Sequence, residues 1–204
     1  MIEAIPIKKL NAEISMPGSK YIANRMLIIC ALANGNSVLK NVPDNEDIDN
    51  AIKSLGQFGI KIKKKENEIT IQGTGGKLNS PKNEIDVGDS GTLLRFITAF
   101  SGIAKGNAKI TGSKRIQQRP ILELLKSLND LGGKSSSKNG NAPLTINGGN
   151  LEGGKTKIKG NISSQFISAS LLISPFAKEH VEIIVEGKLF SAGYADLTID
   201  FMNK

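Results

Sequence analysis

SGTLLRFITAFSGIAKGNAKITGS, Ser90 to Ser113, reads as an apolar helix running into a strand, and YIANRMLIICALANGNSVLKNV, Tyr21 to Val42, has the same order. The two stretches lie about 70 residues apart, a spacing that marks an internal repeat. Each leads into a second helix. NEDIDNAIKSLGQFG (45–59) spaces Ile48, Ile52 and Leu55 on one face, and RPILELLKSLNDLGG (119–133) does so with Ile121, Leu124, Leu125 and Leu128. Gly59 and Gly132 close these helices, and Pro120 suits the first position of the later one. Strands IKIKKK (60–65) and NEITIQG (67–73) finish the first unit; a polar KSSSKNGNA (134–142) and PLTINGG (143–149) finish the second. A third copy runs SSQFISASLLISPFAKE (163–179), HVEIIVEG (180–187) and GYADLTIDFMNK (193–204), where the sequence stops. The expectation is an α/β (α+β) chain of repeated βαβαββ units at roughly 13–76, 77–150 and 151–204, the last unit without its closing turn and hairpin. It reads as a piece of something longer.

A chain of 204 residues can bury a sizeable core without metal or disulfide. Cys30, the single cysteine, sits in RMLIICALA and is expected to be a small buried hydrophobe. MIEAIPIKKL has no apolar signal core and no window is long and apolar enough for a membrane span, so a cytoplasmic protein without membrane contact is expected. The net charge of +8 fits nucleic acid, an acidic membrane or small anions. The densest basic run, KIKKKE (61–66), is expected at a solvated turn between strands. With seven Phe, two Tyr and no Trp there is little for bases to stack on, which argues against nucleic acid.

The first helix of each unit opens on small polar residues: PGSK (17–20), GDSGT (88–92) and NISSQ (161–165). Such residues are ordinary N-caps, but a helix N-terminus also carries unpaired N–H groups and partial positive charge. Three equivalent starts could converge on one anionic ligand. Lys20, Arg25, Arg95 and Arg119 stand close to these starts, which a cap alone would not need. The Walker spacing GxxxxGK[ST] is absent, because Lys20 is followed by Tyr21. His180 is the only histidine and lies in a loop, so no histidine-based metal cluster or Ser-His-Asp triad can form within the chain. The glycines of GTGG (73–76) and NGG (147–149) read as turn residues.

PGSKYIANR (17–25) resembles the pattern PGSKSxxNR, GDSGTLLR (88–95) GNAGTxxR, RIQQRPI (115–121) RMxxRPI, GNISSQF (160–166) GxxSSQF, and SAGYADLT (191–198) SKPYxDxT. In this order they are the motifs of the 5-enolpyruvylshikimate-3-phosphate synthase family. The resemblance implies an enzyme, a transferase of the shikimate pathway of aromatic amino acid and chorismate biosynthesis. It moves the enolpyruvyl group of phosphoenolpyruvate to shikimate 3-phosphate without a cofactor or metal and is the target of glyphosate. Family members are about twice as long, with two domains of three βαβαββ units each in an inside-out α/β barrel. Residues 1–12 would then be a strand belonging to the other domain, and 13–204 the first domain, cut short. UDP-N-acetylglucosamine enolpyruvyl transferase shares that fold, but its opening lacks PGSK.

The resemblance implies that Lys20 and Gln165 take part in catalysis. Lys20, Tyr21, Arg25, Ser163, Ser164, Gln165, Ser191 and Tyr194 would hold shikimate 3-phosphate, and Lys20, Gly91, Thr92, Arg119 and Gln165 phosphoenolpyruvate. Three positions depart from the pattern: Tyr21 replaces a phosphate-binding Ser, Asp89 an Asn, and Ala192-Gly193 a Lys-Pro. The remaining acid, base and arginine groups would come from the missing C-terminal domain. The full-length protein is expected to be a monomer and the isolated chain inactive. A non-catalytic anion-binding domain and a basic nucleic-acid module are the readings from other classes.

Overall fold

The computed structural model describes residue 9 and residues 11–204. The strand expected over 1–12 therefore lies almost wholly outside the described residues. The first unit contains α1 (Lys20–Leu32), β1 (Asn34–Leu39), α2 (Glu46–Gln57), β2 (Lys61–Lys65) and β3 (Glu68–Thr74). The second contains β4 (Ile85–Asp86), α3 (Gly91–Ser101), β5 (Gly106–Thr111), α4 (Leu122–Asp130), β6 (Lys134–Ser137) and β7 (Leu144–Gly148). The third contains β8 (Gly154–Lys159), α5 (Ser164–Ile173), β9 (Val181–Glu186) and α6 (Gly193–Met202).

Burial separates the helices into two kinds. In α3 every residue from Thr92 to Ser101 is buried, and α1 and α5 are buried along most of their length. A helix that is apolar all round belongs in the interior. α3 packs between α1 and α5, and α6 packs against both α5 and α1. The two-sided helices α2 and α4 bury one stripe each, through Ile48, Ala51 and Leu55 and through Leu124, Leu125 and Leu128. Three sheets surround this helical centre, in the orders β1-β3-β2, β4-β5-β7-β6 and β8-β9. In the second, β4 runs parallel to β5, while β5 and β6 are antiparallel to β7. The first sheet repeats the β5-β7-β6 part, and the third the parallel β4-β5 pair.

Several sequence expectations are corrected here. The lysine run 61–65 lies in the strand expected there, β2, on a sheet edge, and not in the turn, which is Glu66-Asn67. Lys61, Lys63 and Lys65 face water, a charged edge that resists further strand pairing. Lys64 points the other way, to Asp44 (2.6 Å) and Asp49 (2.8 Å). Pro120 does not open α4, which starts at Leu122, because Ile121 after it is not helical (φ −139°, ψ −2°) and takes the cap position itself. Gly73 and Gly148 are not turn residues. They close β3 and β7, where a Cβ would collide with the carbonyl oxygens of Ala33 and Cys30, or of Ser101 and Ala104. At the same place in two units, glycine lets the last strand cross directly against the end of the buried helix. Cys30 is buried as expected, and burial raises its thiol pKa.

Gly56 is the opposite case. It lies on the exposed side of α2, and an added Cβ would meet nothing within 4 Å. Gly56→Ala is expected to raise the unfolding free energy by about 0.5–1 kcal/mol, measured by urea denaturation.

Candidate functional site

The first turns of α1, α3 and α5 open onto one cavity of about 350 Å³. Lys20 and Tyr21 enter it from α1, Gly91 and Thr92 from α3, and Ser163 and Gln165 from the start of α5. Ser90 and Ser163 are true caps, accepting from the amides of Leu93 (3.3 Å) and Gln165 (3.2 Å). Capping and ligand-facing geometry thus coexist. The Gln165 amide group donates to the Thr92 hydroxyl at 3.0 Å, bracing α5 against α3. Arg95, Arg115 and Arg119 complete the wall.

A second cavity of about 240 Å³ adjoins the first. It is lined by Tyr21, Arg25, Ser163, Ser164, Gln165, Ser191 and Tyr194, with Ile162 and Phe190. Tyr21, Ile162, Ser163 and Gln165 belong to both cavities and form the divide. The Tyr21 ring lies 5.5 Å from that of Tyr194 at 53°. Ser191 holds a left-handed backbone (φ 56°), uncommon for a residue with a side chain and frequent where a binding site fixes the chain.

Lys20 and Arg25, both expected to hold one ligand, separate. Lys20 lines only the larger cavity, where its ammonium pairs with Asp47 at 3.1 Å. Arg25 is 1% exposed. Its guanidinium donates to Thr198 Oγ1 (2.8 Å), the Tyr21 carbonyl (2.9 Å), Ser168 Oγ (3.2 Å) and the Tyr194 carbonyl (3.3 Å). It also packs against the rings of Phe96 and Tyr194. Burial lowers its pKa. Arg25 is thus the buried floor of the smaller cavity and ties α1 to α5 and α6.

Arg95 repeats this posture. It turns back to the Gly91 carbonyl (2.6 Å), as Arg25 does to Tyr21, and reaches the Pro120 carbonyl at 3.2 Å. Burial, and secondarily the positive charge of Arg119, pull its pKa down to about 10. Asp89 lies at the larger cavity and accepts from the Ser113 hydroxyl. Asp47 and Arg115 were not singled out from the sequence. Asp47 looks like an ordinary first-turn acid of α2, and only the fold sets it beside Lys20.

One compositional signal was available. Of 27 Lys and Arg residues only four are Arg, namely Arg25, Arg95, Arg115 and Arg119. All four line the two cavities, and among the described residues every ion pair is made by a lysine, none by an arginine. Arginine's planar fork suits carboxylate and phosphate, so its confinement to this place is chemically informative.

Three repeated helix starts around an arginine-lined double cavity define an α/β repeat domain suited to small polyanions. Sequence comparison is consistent with that class. The chain belongs to the EPSP synthase (3-phosphoshikimate 1-carboxyvinyltransferase) family, whose family model matches residues 5–204. It is 37% identical over 201 residues to a 3-phosphoshikimate 1-carboxyvinyltransferase of Pseudoalteromonas translucida, covering 97% of this chain and 47% of that protein. To the protein of the same name from Shewanella baltica it is 38% identical over 202 residues, with the same coverage. The fold is similar to that of an EPSP synthase from Acinetobacter baumannii, with a TM-score of 0.79 at 24% identity over 90% of this chain and 42% of that one. The chain spans about half the length of the curated relatives it matches. Among the described residues no helix is long and apolar enough to cross a membrane.

Proposed function

We propose that this chain is the part of a 3-phosphoshikimate 1-carboxyvinyltransferase that holds shikimate 3-phosphate and forms one wall of the phosphoenolpyruvate site. The observation that carries this reading is the pair of adjoining cavities, one cationic and one rich in hydroxyls, which together take up every arginine of the chain. Ser163, Ser164 and Ser191 would take the shikimate phosphate, with Tyr21 and Tyr194 against the ring and Arg25 beneath. Lys20, Arg119 and the first-turn amides at Gly91 and Thr92 would take phosphoenolpyruvate, with Gln165 between the ligands.

In the proposed reaction the 5-hydroxyl of shikimate 3-phosphate attacks C2 of phosphoenolpyruvate while C3 gains a proton. The tetrahedral adduct then expels inorganic phosphate as C3 gives a proton back, restoring the C2–C3 double bond, so no covalent bond to the protein is required. Two mutually repelling anions must be held in contact, which fixed cations and helix N-termini achieve best in a closed, dry cleft. Lys20, the one lysine among these groups, would have to leave its pairing with Asp47 to follow charge as it moves, which its long flexible stem allows. The groups that complete the cleft and move the proton belong to the rest of a full-length enzyme. We place the reaction in the cytoplasm, where phosphorylated intermediates of biosynthesis are made.

Calorimetric titration of the chain with shikimate 3-phosphate tests the reading: weak but saturable binding is expected, and no binding would overturn it. Ser191→Gly removes one hydroxyl while keeping the left-handed backbone without strain. It is expected to weaken that binding about tenfold, the loss of one hydrogen bond to a charged group. Phosphate release from both substrates is expected to stay at background. Steady-state turnover by the chain, with host enzyme excluded, would refute the need for further groups.

A further inference from the structure

Arg119 and Pro120 line the larger cavity within the link between the short helical turn Ile116–Gln118 and α4. Arg119 is exposed, and among the described residues no ion pair holds its guanidinium. Where that group points therefore depends on the backbone beneath it. Pro120 has no N–H with which to tether the link, so its neighbours hold it instead. The Arg119 amide donates to the Ile116 carbonyl (2.9 Å) and the Ile121 amide to the Gly140 carbonyl (3.2 Å). Arg95 donates to the Pro120 carbonyl at 3.2 Å. The side-chain amide of Asn141 donates to the carbonyls of Arg119 and Gly140, both at 3.1 Å.

Gly140 and Asn141 belong to the turn of the β6–β7 hairpin, which lines neither cavity. The turn is shaped for this contact. Gly140 has a left-handed backbone (φ 73°), and the Ser137 hydroxyl donates to the Asn141 carbonyl at 2.7 Å. An asparagine amide carries two N–H donors, which here meet two carbonyls; a serine has one donor and an aspartate none.

We infer that Asn141 is a positioning residue for Arg119. It fixes the peptide unit from which the guanidinium reaches an anion in the larger cavity, while Arg95 holds the next carbonyl from α3. A backbone set in place before the ligand arrives lowers the ordering cost of binding. The consequence for affinity rests on the larger cavity being the phosphoenolpyruvate site; the tethering itself does not.

Asn141→Ala and Asn147→Ala are compared on the whole chain. Asn147 lies towards the other end of β7 and donates to the Asn107 side chain at 2.9 Å, so its variant loses a similar bond away from the cavity. Asn141→Ala is expected to lower the NMR order parameter of the Arg119 amide from about 0.85 towards about 0.6, with that of Arg115 unchanged. It should weaken phosphoenolpyruvate binding about fivefold and leave shikimate 3-phosphate binding as it was, and Asn147→Ala should move none of these. An Arg119 order parameter unmoved by Asn141→Ala, an equal fall with Asn147→Ala, or an equal loss of affinity for both ligands would overturn the inference. If Arg119 loosens as expected but the unaltered chain binds no phosphoenolpyruvate, the positioning is supported and the reading of the larger cavity fails.

Discussion

Replacing Arg25 by alanine is expected to lower the unfolding free energy by about 3–4 kcal/mol, and replacing it by lysine by about 2–3 kcal/mol. The guanidinium is almost wholly buried and bonds to α1, α5 and α6 together, through Tyr21, Ser168, Tyr194 and Thr198. Alanine leaves a cavity against Phe96 and strips two backbone carbonyls of a charged donor. Lysine keeps a charge but cannot place donors in a planar fork, so it serves some of the four acceptors at the expense of the others. Urea denaturation followed by circular dichroism measures both changes. A loss below about 1 kcal/mol for Arg25→Ala would show that the helices hold together without it.

Gly148→Ala is expected to cost about 3 kcal/mol, and Gly73→Ala a similar amount, from steric overlap alone. Neither glycine has a left-handed backbone. The cost comes from backbone carbonyls at the end of α3 or α1, which cannot swing aside as a side chain would. Because the site lies at the opposite end of these helices, the surviving folded protein should keep its affinity for shikimate 3-phosphate. The same denaturation series checks the stability loss, and calorimetry checks the affinity. If both variants fold with unchanged stability, the close crossing of strand and helix is absent in solution.

The repeat was legible because helix and strand impose their periods on the sequence; the order of helix, strand and second helix came through in all three units, but the strand expected to open the first unit is not formed, since residues 11–19 are neither helix nor strand. The start of α4 was displaced because proline at a first helical position and proline just before a helix look alike until the backbone of Ile121 is known. β2 was legible as a strand because Ile62 and Lys64 on the inner face keep a strand's alternation, although the density of its lysines also suggested a solvated turn, which falls at Glu66-Asn67 instead. In the site, motif residues 173 positions apart come together, as the packed rings of Tyr21 and Tyr194 show. Motifs did not distinguish an arginine facing a cavity from one forming its floor. Arg25 and Arg119 look equivalent in sequence, and only burial and bonding partners divide them.

Arg25 and Arg95 each turn back on the first turn of their own helix. A cation there opposes the helix dipole, since that end is already positive, and no carboxylate neutralises either group among the described residues. Each guanidinium is therefore a positive charge that no neighbouring carboxylate offsets, one that an anion held in the cavities, as proposed, would compensate. Its resistance to unfolding becomes a property of the surrounding solution as well as of the chain. Phosphate buffer is accordingly expected to raise the thermal midpoint above its value in chloride at equal ionic strength, the difference growing with phosphate concentration.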